Sequence, residues 1–234
     1  METPPPLSQP PSSQLPPKQG MGCFAVGCLV VVILIAFLIA VGGIGAWLFY
    51  GRAVTMFTSP QATDVRIENV SDVDLQNAEQ ILNLLGQATA NNQETKVEFT
   101  AAEMNAMIAR EPLFADLNNR LRVSMADSTM TVETSVPLDS VSLPKLKAHW
   151  FNGTARFGFT FNLGEFDFEP KSMEANGHSF PEEFFTGFTP TLNHAFNDSF
   201  RREVQKNTQA ANFWKHIKTV TVDQDKLVVT TQRL

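Results

Sequence analysis

Cysteine, tyrosine and histidine are scarce in this chain. Of its 234 residues, two are Cys, one is Tyr and four are His. Both cysteines, Cys23 and Cys28, sit close to the N-terminus. The long remainder therefore has no internal disulfide, no Cys-ligated metal and no Cys nucleophile. The histidines, His149, His178, His194 and His216, are scattered, and none forms the HxxxH or HExxH spacing of a zinc site. GxSxG, GxGxxG and P-loop patterns are also missing. No catalytic residue, metal ligand or cofactor is expected. An excess of basic residues is lacking too: the net charge is -6. Phosphate backbones are bound mainly by Lys and Arg, so nucleic acid is not an expected partner.

Charge of either sign is missing between Lys18 and Arg52, and from Phe24 to Tyr50 the chain is almost wholly apolar. About 27 residues at ~1.5 Å each reach ~40 Å, more than the ~30 Å hydrocarbon core of a bilayer. Tilt, or leaving Trp47, Phe49 and Tyr50 among the headgroups, takes up the surplus. The run is longer than the apolar region of a signal peptide, although Ala40-Val41-Gly42 would suit a signal peptidase. The expectation is an uncleaved transmembrane helix over residues 23–50, with the bilayer as the first partner. Lys18 and Arg52 balance across it, so flanking charge does not set its orientation. The short tail is placed in the cytoplasm and the larger domain outside, giving a single-pass protein of the cytoplasmic membrane. Ala36, Ala40 and Gly43 share a helix face, where small residues allow close approach and weak self-association.

Residues 1–22 are rich in Pro, Ser and Gln and form a disordered tail. Residues 51–70 read as a connector and residues 71–234 as one extracytoplasmic domain. Ser71 or Asp72 caps a helix to about Asn91, with Leu75, Ala78, Ile81, Leu82 and Leu85 at helical spacing. Val97-Glu98-Phe99 is a short strand. It enters a capping box, Thr100 to Glu103, and a helix that ends before Pro112. The period then changes to two. Val123, Met125, Met130 and Val132 form one hairpin face; Phe159, Phe161, Phe166 and Phe168 a second; Val220, Val222, Leu227 and Val229 a third. Pro181 and then Thr189-Pro190 start two helices, the second with Leu192, Ala195, Phe196, Ser199, Phe200 and Val204 facing inward. The fold class is α+β, an antiparallel sheet of hairpins with helices mainly on one face.

Phe is abundant, at 19 residues. Phe157, Phe159, Phe161, Phe166 and Phe168 on the sheet oppose Phe184, Phe185, Phe188, Phe196 and Phe200 on helices. Two readings follow: a core filled with rings, or an apolar groove that accepts a lipid chain. Glu165, Asp167 and Glu169 read as a solvated strand face, and His194 with Asp198 as a helix-surface pair. Asn69, Asn152 and Asn197 match the N-glycosylation pattern. Asn105 reads as bonding a nearby backbone group. The functional expectation is a non-catalytic envelope module that binds a lipid, another apolar ligand or an envelope protein near the membrane surface. A purely structural interaction domain and a hydrolase-like enzyme are the alternatives.

Several stretches carry a resemblance: residues 99–105 (FTAAEMN), the hairpin over 121–136 followed by Pro137 and Leu138, Asn152-Gly153, residues 176–181 (NGHSFP) and residues 217–229 (IKTVTVDQDKLVV). In this order they resemble bacterial single-pass membrane proteins with an extracytoplasmic α+β domain of unknown function, the YpmS-like proteins. The resemblance implies topology and fold, and carries no catalytic residue over to this chain.

Overall fold

A computed structural model describes residues 56–67, 70–139, 146–162 and 164–234. The tail, the apolar run with Ala36, Ala40 and Gly43, and Asn69 lie outside the described residues. Among the described residues, no helix is long and apolar enough to cross a membrane.

Among the described residues the chain forms an antiparallel sheet of eight strands packed with four α-helices. Helix α1 (Asp72–Ala90) starts at Ser71, whose side chain accepts from Val73 N. Strand β1 (Lys96–Thr100) runs directly into α2 (Ala101–Arg110). Thr100 Oγ1 accepts from Glu103 N at 3.2 Å, and Glu103 Oε2 accepts from Thr100 N at 2.7 Å, closing the capping box. A 3-10 turn (Pro112–Leu117) leads to β2 (Leu121–Ala126), β3 (Thr129–Pro137), β4 (Trp150–Asn162), β5 (Glu165–Ala175) and the two-residue β6 (His178–Ser179). Helices α3 (Glu182–Lys206) and α4 (Thr208–His216) precede the closing hairpin of β7 (Ile217–Asp223) and β8 (Lys226–Thr231).

The hairpin registers match those expected from the alternation. Met125 pairs with Met130, Val123 with Val132, Phe161 with Phe166, Phe159 with Phe168, Val222 with Leu227 and Val220 with Val229. Strand β4 organises the sheet. Along one edge its residues 153–162 pair with β5. Along the other edge, its first part pairs with β3 and its last three residues with β7. The β2–β3 and β7–β8 turns meet where these hairpins diverge, Ser128 N donating to Gln224 O at 2.9 Å. Residues from all four helices and from the inward faces of the strands join one hydrophobic cluster.

Two expectations about α3 are corrected. Pro190 does not divide the segment: it lies inside one helix of 25 residues. The missing proline N–H removes one intrahelical bond. Packing of Phe185, Phe188, Leu192, Phe196 and Phe200 along one side of both halves carries the helix through. The inner stripe is also rotated from that expected, because Ala195 and Ser199 are exposed and Asn193 and Asn197 face the sheet instead.

The described part of the connector is a strap across the sheet. Ser59 and Trp150 exchange backbone bonds at 2.9 and 2.7 Å. Thr63 N donates to Ser135 Oγ and Asn152 Oδ1, both at 3.1 Å, and Val65 N donates to Asn119 O at 3.2 Å. Phe57 stacks on Phe180 with ring centroids 4.2 Å apart.

Candidate functional site

Nine of the ten singled-out phenylalanines are less than 9% exposed; Phe184 alone is half-buried. The register explains why they converge. Facing pairs Phe161–Phe166 and Phe159–Phe168 stand opposite each other on β4 and β5, with ring centroids 4.7 and 5.9 Å apart. Helix α3 adds Phe196, 4.7 Å from Phe168, and Phe200, 5.0 Å from Phe166. Helix α4 adds Trp214, 5.0 Å from both Phe161 and Phe200. Most of these contacts are edge-to-face, the arrangement that ring quadrupoles favour. The rings occupy the space between sheet and helices, so a ligand chain entering there would have to displace them.

Phe184 belongs to a different array. Its ring lies 5.3 Å from Phe180 and 5.3 Å from Phe188. With Phe57 stacked on Phe180, half-buried rings form a row from the strap to the core.

Asparagines on helices clamp the edge strands. Asn197 Oδ1 accepts from Phe166 N at 2.8 Å and its Nδ2 donates to Phe166 O at 2.7 Å. One turn earlier, Asn193 makes the same pair of bonds to Phe168, at 2.9 and 3.3 Å. Four helical residues rise ~6 Å and two strand residues ~6.7 Å, so the spacings match. On β2, Asn105 of α2 bonds both backbone groups of Val123, at 2.7 and 2.8 Å. The backbone-bonding expected of Asn105 is present. This role of Asn193 and Asn197 is not among the sequence expectations, where Asn197 figures only as a glycosylation match. Asn197 is buried and fully engaged, which removes it as a glycan acceptor.

Under the strap lies a polar cavity of about 270 Å³, lined by residues that include Thr63, Glu133, Asn152, Thr154 and Glu174. Arg122 donates to both oxygens of Glu133 at 2.6 Å, so that carboxylate is already neutralised. The other polar groups are dispersed. His194 and Asp198 pair at 3.0 Å on the exposed side of α3. Glu165, Asp167 and Glu169 are solvent-facing, and Glu169 pairs with Lys171. Among the described residues, no three His, Cys, Asp or Glu side chains could share a metal ion.

One exposed ionic cluster has a pH signature. Lys96 lies 2.8 Å from Glu98 on β1, and Lys226 of β8 lies 3.0 Å from it. The hydrogen bond from Lys96, then that from Lys226, lowers the Glu98 carboxyl below its usual range. The same bonds raise both ammonium groups. A lowered carboxyl adds stability above its unfolded pKa and loses it as pH falls through the folded one. Glu98→Gln is therefore expected to melt slightly below the parent at pH 7. The two curves should converge below the carboxylate range and in high salt, as read by thermal denaturation.

No family model matches the chain, and no curated protein or solved structure matches it.

Proposed function

We propose that the chain is a single-pass protein of the cytoplasmic membrane whose α+β domain is an extracytoplasmic, non-catalytic module binding a partner protein close to the bilayer. Residues 23–50 are the anchor in this reading, and the YpmS-like resemblance belongs to the same proposal. The observation that carries it is the strap: only residues 51–55 separate the apolar run from a segment pinned to the sheet at Ser59 and Thr63. A domain held so close to its anchor acts at the membrane surface. Dispersed polar groups and a core filled with rings favour recognition by the surface over chemistry in a cleft. A second reading, an apolar ligand such as a lipid chain, draws on the half-buried row of Phe57, Phe180 and Phe184.

Photocrosslinking in the native membrane separates the two. A photoreactive residue replaces Phe184 in one full-length variant and Thr154, beside the polar cavity, in another. A discrete protein adduct from Thr154 supports the partner reading. A lipid adduct that still forms at Phe184 after the chain is moved into lipid-free detergent, where only a held ligand stays beside the ring, supports the second. No protein adduct from Thr154 overturns the first, and no lipid adduct in detergent overturns the second.

A further inference from the structure

Two levels along the sheet matter. At one, beside Gly158 in the middle of β4, the β2–β3 and β7–β8 turns are joined through Ser128 and Gln224. At the other lie the start of β4, the Asn176-Gly177 turn, Phe180 and the beginning of the strap. Strand β3 runs between them, and its nine residues span ~26 Å. The chain docks at the second level. Asn176 Nδ2 donates to Met56 O and Thr58 O at 3.3 and 3.1 Å, Ser59 bridges to Trp150, and Phe57 stacks on Phe180. These contacts fix where the tether leaves the domain.

The surface there is distinctive. Phe57, Phe180 and Phe184 are half-buried rings in a row. His178 is exposed, its ring 6.3 Å from that of Phe57, and Lys147 is exposed just before β4. Aromatic side chains with polar or cationic tips beside them suit the boundary between hydrocarbon and water. Glu182 and Glu183 stand in the first turn of α3 beside Phe184, so net positive charge is not the attraction.

We propose that this end of the domain, centred on Phe57, Phe180 and Phe184, rests in the headgroup layer of the bilayer that anchors the chain. The inference depends on the membrane-anchor reading above. From Tyr50 to Met56 the chain spans at most ~20 Å fully extended and ~13 Å as a flexible coil, so the ring-bearing end stays within reach of the headgroups. The rings, not charge, hold it there, and the contact persists in phosphatidylcholine alone and at high salt. The asparagine clamps and the joined turns remain in water, and the polar cavity, lined in part by the Asn176-Gly177 turn, lies beside the seated rings.

The full chain, with Cys23 and Cys28 replaced by Ser, accepts a single fluorophore at His178→Cys or at Asp225→Cys in the distal turn. Each form is placed in phosphatidylcholine nanodiscs with a spin-labelled headgroup lipid as quencher. Loss of most fluorescence at position 178, with little loss at 225, is expected. A flexible insert of about twelve residues after Arg52 lengthens the tether to ~23 Å on average and should leave that pattern in place. Equal quenching at both positions overturns the orientation. Loss of quenching at 178 on lengthening the tether shows proximity without seating and overturns the contact. Failure of the chain to co-elute with the nanodiscs refutes the anchor reading itself, a separate result that removes the inference with it.

Discussion

Replacing Phe161 by Ala is expected to lower the stability of the domain by about 3–5 kcal/mol, the range for truncating a buried ring. The side chain is 1% exposed and touches elements on every side. Phe166 faces it from β5 at 4.7 Å, Trp214 approaches from α4 at 5.0 Å and Phe200 from α3 at 6.0 Å. In the sheet, Phe161 lies between Phe166 and Val220, paired with both. Strands bonded on both edges cannot move inward to fill the hole, so little of the cavity cost is recovered. The measurement is urea unfolding of the full chain in detergent. The midpoint should fall while the slope against denaturant stays unchanged. Phe161→Leu, which keeps most of the volume, should cost less than ~1.5 kcal/mol. A loss below about 1 kcal/mol for Phe161→Ala would mean slack between sheet and helices, and would return the ring cluster to the status of a ligand groove.

The ring cluster was readable because a strand has a side-chain period of two. Phe157, Phe159, Phe161, Phe166 and Phe168 fall on one face in only one register, and a one-residue slip would turn them all to water. The Thr100–Glu103 box was readable for a similar reason, since its bonds are local. Pro190 was misread because a local rule lost to tertiary packing along α3. The strap was not visible at all. Residues 56–67 have no periodicity, and their partners Asn119, Ser135, Asn152 and Asn176 lie far along the chain. The row of half-buried rings inherits that invisibility: Phe57 and Phe180 become neighbours only because the strap docks beside β6. Asn193 and Asn197 sat among exposed polar residues of the same helix, and which face they occupied could be told only once the stripe was placed.

Those asparagines carry the second large effect. Asn197→Ala is expected to cost about 2–4 kcal/mol, because each buried backbone group stripped of its partner costs ~1–3 kcal/mol. The groups at risk are Phe166 N and Phe166 O, which point away from β4 and are met by both atoms of the Asn197 amide. Asn197→Asp is a sharper test. Aspartate keeps the acceptor for Phe166 N but sets a second oxygen against Phe166 O, in a site where Asn197 is only 7% exposed. Burial and that oxygen raise the new carboxyl's pKa. Its protonated form, by donating to Phe166 O, restores the pair. The variant should therefore be least stable relative to the parent at neutral pH and recover as pH falls, read as the difference between their unfolding midpoints. His194→Ala, on the exposed side of the same helix, should shift stability by less than ~0.5 kcal/mol. The wider consequence lies at the sheet edge. Beyond β6, which covers only Glu174 and Ala175, the outward groups of Phe166 and Phe168 are held by asparagine amides. With Asn193 and Asn197 both changed to Ala, β5 becomes a bare edge strand rich in Phe, the template on which chains pair and aggregate. Light scattering of the double variant on warming should rise well before that of Phe161→Ala, whose edge remains clamped. Onset in the reverse order would mean that β5 is protected by its neighbours in the core and not by the two amides.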